Sequence, residues 1–400
     1  MANNATTQVP SGGATIIDRR RFLKQTASAT AVVSVPYLAG KTVAFGKQVG
    51  KGADAALDRA QRTGRHGRRP PGVIAVVQRG PHREVHSFGV RNIRSGLPLR
   101  AKDHMRIASV AKAFSGAVAL SLVSKGVLSL NDTIGELLPK LPETWHAVRL
   151  RHWLNHTSGI PDFSQDEDFL AAVMAHPKEA PPPEELLSYV EDEPLNFEPG
   201  TRYEYSNSDN IAVGLMIEAA TNRSYESRLQ KHVFGPLGFT ETSLPAGANL
   251  PKAFIHGYDP SESPPEDLSE IIAAGWFWAS GGIVSTPEDL NRFIRGYVGG
   301  RLFGSKQRQV IEGGSSEPPG PGKNAAGLAL FRYRTRCGTV WGHTGNTPSY
   351  TQFAAVSPDG ERSVTVSVNA QLTPTTGRPA VYGTLRRAEG LAVCAALAGR

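Results

Sequence analysis

The β-patterned segments of this chain lie towards its two ends, and what separates them reads as helix. Gly72 to Arg79 is nearly all Val, Ile and Ala, and Glu84 to Val90 follows it behind a Gly-Pro turn. Far downstream, Val340 to Val356 and Arg362 to Val368 alternate in the β manner around Thr, Val and Tyr. Between them, Val110 to Lys125 runs through small and apolar residues to a Lys-Gly stop. Residues 130–255 continue helix-rich, and Ile211 to Ala220 is the clearest apolar helix. Short helical patterns at 53–64 and about 379–398 flank the whole. Strands so far apart in sequence share a sheet only if the middle is an excursion from it. The pattern predicts an α+β fold, an antiparallel sheet made from both ends of the chain, with terminal helices and an all-helical insertion. Its expected lobes are a sheet lobe at about 53–108 and 270–398 and a helical lobe at about 110–269. Proline-rich stretches at 177–184, 260–266 and 317–321 read as surface loops, since periodic segments resume on both sides. The cleft between the lobes is the natural place for chemistry.

The first 46 residues read as an address. Asp18-Arg19-Arg20-Arg21-Phe22-Leu23-Lys24 looks like a twin-arginine export motif, and a weakly apolar stretch from Thr26 to about Gly46 follows it. A secreted, extracytoplasmic protein is expected, with no stable membrane span after signal cleavage. A formal charge of +8 over 400 residues is mild and does not call for nucleic acid as a partner. Arg59, Arg62, Arg65, Arg68 and Arg69 form a local basic run, read as a solvated helix end and loop. Cys337 and Cys394 are the only cysteines, and an oxidising compartment permits a bridge, with buried thiols the alternative. On the chain-entropy account such a bridge stabilises the fold by about 4 kcal/mol.

Three short patterns carry chemistry. Ser109-Val110-Ala111-Lys112 follows the strand-like Met105 to Ala108 and opens a helix. Positions i and i+3 share a helix face, so the lysine amine can reach the serine oxygen. A desolvated lysine has a lowered pKa and can take the serine's proton. Alone this pattern is weak, because about one match is expected by chance. Tyr205-Ser206-Asn207 precedes the Ile211–Ala220 helix. Its phenol can pass a proton to a leaving group and its amide can meet a substrate carbonyl, although Ser and Asn also serve simply as helix caps. Gly342-His343-Thr344-Gly345-Asn346 lies on a β-patterned segment whose edge can receive a substrate as an added strand. An oxyanion would then sit between the N–H groups of Ser109 and Asn346.

Each pattern occurs once, in the order Ser-x-x-Lys, Tyr-x-Asn, His-Thr-Gly, and together they resemble the serine β-lactamase and penicillin-binding superfamily. The resemblance spans about residues 53–395. It includes Leu154-Asn155-His156-Thr157-Ser158-Gly159-Ile160 and Ala279-Ser280-Gly281-Gly282 onward, which look like family framework motifs. The His-Thr-Gly form and the late Cys394 look most like the exported D-Ala-D-Ala carboxypeptidases. The resemblance implies Ser109 as nucleophile, Lys112 as base and Tyr205 as proton shuttle, with Asn207, His343, Thr344, Gly345 and Asn346 around the substrate. It also offers Arg332 as the guanidinium that holds a terminal carboxylate, and Ser164 as a hydroxyl in the same pocket. Asn346 is a departure, since a threonine is usual there in this subgroup. No cofactor and no metal are implied. His152 and His156 have the i, i+4 spacing of a zinc pair, but the glutamate and third ligand of that pattern are missing. Trp276-Phe277-Trp278 either walls the cleft or packs the core.

The expected activity is therefore hydrolysis of a small peptide or ester, a peptidoglycan stem peptide being one candidate, with β-lactams as acylating ligands. The rivals are a β-lactamase or esterase of the same chemistry, and a penicillin- or peptidoglycan-binding module with little turnover.

Overall fold

A computed structural model describes residues 45–62, 69–304, 325–373 and 379–398. Residues 1–44, with the twin-arginine motif, lie outside the described residues, as do Arg65, Arg68 and the 317–321 loop. Helix α1 (Phe45–Arg62) starts earlier than the sequence predicts and begins inside the stretch read as the address. Strands β1 (Gly72–Arg79) and β2 (His82–Gly89) form a hairpin across Gly80-Pro81, where Gly80 takes φ +55°. That conformation suits a glycine and closes the two-residue turn.

Next come β3 (Met105–Arg106), α2 (Ala111–Ser124) and a stretch of short helices ending in α3 (Ser208–Thr221). The β4 (Tyr258–Asp259) and β5 (Glu266–Asp267) pair, β6 (Val284–Ser285) and α4 (Pro287–Val298) return the chain to the sheet. Strands β7 (Ala325–Ala326), β8 (Phe331–Thr335), β9 (Gly338–Thr347), β10 (Tyr350–Val356) and β11 (Arg362–Val368) follow, then α5 (Pro379–Leu397). The main sheet runs β2-β1-β11-β10-β9-β8-β7 with antiparallel neighbours throughout. N- and C-terminal strands meet where Val73 opposes Val368. This is the antiparallel sheet the sequence predicts. The segment expected as one run from Val340 to Val356 is two strands that fold back at Pro348-Ser349, with Thr347 opposite Tyr350. Pro348 has no N–H to offer a ladder, so it falls at the turn.

Helices α1 and α5 cover one face of the sheet, where Leu57, Val73, Val77, Val366 and Leu385 pack together. Helix α4 lies on the other face and joins it to the larger core, which includes Phe114, Trp153 and Ile211. Residues 111–122 of α2 and 208–217 of α3 are buried on every side. Apart from Lys112, Asp209 and Asn210, both sequences are apolar or small around the whole helix, the pattern of a helix enclosed by others. The two touch each other and the short helix Trp278–Gly281, and their N-terminal ends both reach the gap between helices and sheet. Cys337, just before β9, is bonded to Cys394 of α5, which fastens that helix to the sheet.

Candidate active site

Ser109 stands in the 3-10 turn Ala108–Val110 that joins β3 to α2. Ala108 before it has φ +51°, a left-handed conformation that costs a non-glycine residue about 1–3 kcal/mol. The neighbouring strand explains how this turn is held. Gly345 of β9 lies so near that a Cβ there would be 2.5 Å from the Ile107 oxygen and 3.1 Å from the Ser109 nitrogen.

Lys112, one helical turn on, is completely buried. Its Nζ donates to Asn207 Oδ1 at 2.7 Å, to the Ser280 carbonyl at 2.8 Å and to Ser109 Oγ at 3.3 Å. It also lies 5.0 Å from the centre of the Tyr205 ring. Burial pulls its pKa down to about 7, against the opposing pull of Asp162 and Asp209. Tyr205 hydrogen-bonds the Ser109 side chain, and burial raises its pKa far above the ordinary phenol value, so it stays protonated.

Tyr205 and Asn207 reach this point from the loop before α3. Asn207 occupies the N-cap position but makes no side-chain cap, because its amide turns to Lys112 instead. Behind Tyr205, His156 lies ring to ring at 4.4 Å, and its Nδ1 bonds Asp209 Oδ2 at 2.6 Å. Burial, then the nearby Lys112, lower the His156 pKa to about 3, so the ring is neutral where it packs against Tyr205. Ser164 faces the cleft, where its Oγ donates to Asp162 Oδ1 at 2.9 Å and accepts from Asn207 Nδ2 at 2.8 Å.

Strand β9 forms the opposite wall. Its pairing with β8 ends at Gly342 opposite Phe331, so among the described residues His343 onward pairs with β10 alone. That leaves a strand edge towards the cleft. His343 is buried, donates from Nδ1 to the Thr344 carbonyl and packs 5.0 Å from the Phe331 ring. Burial lowers its pKa to about 3, so it is neutral, as an unperturbed histidine would be above pH ~6.5. The Thr344 side chain bonds Tyr333, and Asn346 lines the cleft with its Oδ1 3.0 Å from Thr351 Oγ1. Arg332 is half-buried on β8 opposite Trp341 and is not among the residues lining the cleft.

The cleft encloses about 550 Å³, part of it open to solvent, and every residue lining it is uncharged. Phe277 lines it, whereas Trp276 and Trp278 are buried, so the aromatic cluster does both things the sequence allowed. Thr347 and Gln371 line it without having been foreseen, and Asp162 and Ser280 complete the network around Lys112. Asp162 stands two residues past the 154–160 framework motif, the only signal it carries. Ser280 acts through its backbone carbonyl, which no residue type announces.

A family model described as beta-lactamase matches residues 56–387. The chain belongs to the β-lactamase family. It thereby falls within the serine β-lactamase and penicillin-binding superfamily, and the proteins it resembles include an amidohydrolase and a penicillin-binding protein. Penicillin-binding protein 4* of Bacillus subtilis is 28% identical over 235 residues, 56% of this chain and 51% of the relative. Protein flp of Staphylococcus aureus is 24% identical over 305 residues, 75% of this chain and 59% of the relative. The chain thus spans about half to three-fifths of the length of these curated relatives. Among solved structures, a D-stereospecific amidohydrolase from Streptomyces sp. superposes with a TM-score of 0.71 at 26% identity, covering 81% of this chain and 95% of the other. The D-amino acid amidase of Ochrobactrum anthropi SV3, complexed with L-phenylalanine amide, shares the fold with a TM-score of 0.75 at 22% identity. It covers 87% of this chain and 98% of its own. Among the described residues no helix is long and apolar enough to cross a membrane.

Proposed function

We propose that this β-lactamase-family protein is an exported acyl-enzyme hydrolase of short peptides ending in D-residues, of the D-alanyl-D-alanine carboxypeptidase kind. One observation carries the reading: the buried Lys112 amine with its three acceptors. An ammonium group has a proton for each of them. Once neutral, the amine keeps two N–H bonds for the shorter contacts, to Asn207 and Ser280. Its lone pair is then left for the longest contact, to Ser109 Oγ. A pKa of about 7 makes that neutral form abundant at physiological pH. Lys112 takes the Ser109 proton and Oγ attacks the carbonyl carbon. Tyr205, held protonated, donates to the leaving nitrogen and recovers its proton from Lys112. The oxyanion lies between the backbone N–H groups of Ser109 and Asn346. Water then attacks the acyl-enzyme and frees Ser109. No step calls on a cofactor.

A second reading, an amidase or esterase of small D-amino acid derivatives, is favoured by the uncharged lining of the cleft. A free terminal carboxylate would seek a cation; a carboxamide or ester would not. Release of D-Ala from an N-acyl-D-Ala-D-Ala peptide, measured beside hydrolysis of a D-amino acid amide, a p-nitrophenyl ester and benzylpenicillin, separates the readings. The carboxypeptidase reading requires the peptide to be turned over, and Arg332→Ala to weaken that peptide far more than the ester. Equal loss on both substrates removes Arg332 from the site. Rapid turnover of penicillin alone makes the protein a β-lactamase. Export is proposed on the Arg19-Arg20-Arg21 motif, and the Cys337–Cys394 bond suits the oxidising side of a membrane.

A further inference from the structure

The scheme above makes no use of Asp162, a buried carboxylate behind the cleft wall. Its Oδ1 accepts from the Ser164 backbone N–H at 3.1 Å and from Ser164 Oγ at 2.9 Å, and its Oδ2 accepts from Asn207 Nδ2 at 3.0 Å. A serine hydroxyl has one proton to give. With that proton on Asp162, Ser164 meets Asn207 Nδ2 at 2.8 Å, and the more distant Gln165 Nε2 at 3.5 Å, only as an acceptor. Both Asn207 N–H bonds are then committed, one to Asp162 and one to Ser164. The oxygen of the same amide is what remains for Lys112, at 2.7 Å. A flipped amide would set N–H against ammonium and oxygen against carboxylate.

We infer that Asp162 is a positioning residue for the Ser109 reaction: its carboxylate holds the Asn207 amide with its oxygen on Lys112 and leaves Ser164 an acceptor. The geometry stands by itself, while its consequence for rate rests on the acyl-enzyme reading. Ser164, offered by resemblance as a grip on the substrate's carboxylate, has no proton left to donate to it. That face of the cleft suits a substrate N–H instead. The charged and titratable groups facing Asp162 are Lys112 from α2, Asp209 from α3, His156 from the 154–160 segment and Tyr205 from the loop before α3.

The test uses the full chain carrying Asp162→Asn, with two readouts: the pH dependence of Ser109 acylation by benzylpenicillin, and the titration of Lys112 followed by ¹³Cε-lysine NMR. Acylation at pH 8 should fall about 100-fold, the loss expected when a reacting base is misplaced. Removing the neighbouring negative charge should also shift the Lys112 midpoint to lower pH, and the rising limb of acylation with it. A folded variant that acylates at the wild-type rate with an unmoved midpoint overturns the inference. Should Asp162→Asn not fold, Asp162→Glu decides, because it keeps the charge and displaces the carboxylate that Asn207 and Ser164 donate to. Its acylation should also fall about 100-fold, and a wild-type rate would overturn the inference. A wild type with no label on Ser109 would defeat the acyl-enzyme reading; separately, a structure of Asp162→Asn in which Asn207 still turns its amide oxygen to Lys112 and its N–H groups to residue 162 and Ser164 would overturn the inference.

Discussion

On the helical side of the cleft, Asp162, Ser164, Asn207 and Lys112 form one chain of side-chain hydrogen bonds that ends at Ser109. On the sheet side, β9 brings a strand edge, while His343 and Thr344 turn their side chains to the strand's own carbonyl and to Tyr333. Proton movement needs groups whose charge can be tuned by burial, and the helical wall has them. Recognition of an extended substrate needs repeating N–H and C=O groups, and the strand edge has those. Substitutions on the helical wall should therefore act on the chemical step and its pH dependence. Those on the sheet wall should act through backbone placement.

The largest effect should come from Lys112→Met, which removes the base and leaves Asn207 Oδ1 and the Ser280 carbonyl without their donor. Acylation by benzylpenicillin in stopped flow should fall about 10³-fold or more; a loss under tenfold would assign the base elsewhere. Tyr205→Phe should follow, slowing turnover of an amide about 100-fold. An activated ester, whose leaving group needs no proton, should lose much less. Equal losses on amide and ester would remove the shuttle role.

On the sheet wall, Gly345→Ala should lower stability by about 1–3 kcal/mol, since its methyl meets the Ile107 oxygen and crowds the Ser109 nitrogen. Urea unfolding measures this, and unchanged stability and rate together would show that the close approach of β9 is unimportant. The smallest effect concerns His343. The wild-type rate should rise with pH through about 7 as Lys112 loses its proton, and Tyr205 should impose no fall below its raised pKa. His343→Asn should leave that midpoint in place, because His343 is already neutral there. A midpoint that vanishes with the histidine would move the proton chemistry to the sheet wall.

Much of this was legible in the sequence because it is local. The Ser109–Lys112 pairing follows from their i, i+3 spacing, although Ser109 stands in the 3-10 turn just before α2, and β1 announces itself by five consecutive apolar residues, Val73 to Val77. The division of the sheet between the chain's two ends followed from where the alternating segments fall. What escaped is non-local. Asp162 and Asn207 are 45 residues apart, and only the folded loop before α3 sets one against the other. Ser280 contributes a carbonyl that any residue would carry. β7 has two residues, too few for alternation to show. Arg332 is a separate case: its sequence position suggested the pocket, and the strand holds it opposite Trp341, outside the set of residues that line the cleft.

Ser109 is expected to form the covalent bond. Benzylpenicillin or a D-residue p-nitrophenyl ester should be incubated with the protein, quenched in acid and followed by peptide mass mapping. The added mass should fall on Ser109 in the wild type, build up faster as pH rises through about 7, and be absent from Ser109→Ala. An adduct that persists in Ser109→Ala, or substrate turnover by that variant at the wild-type rate, would place the nucleophile elsewhere.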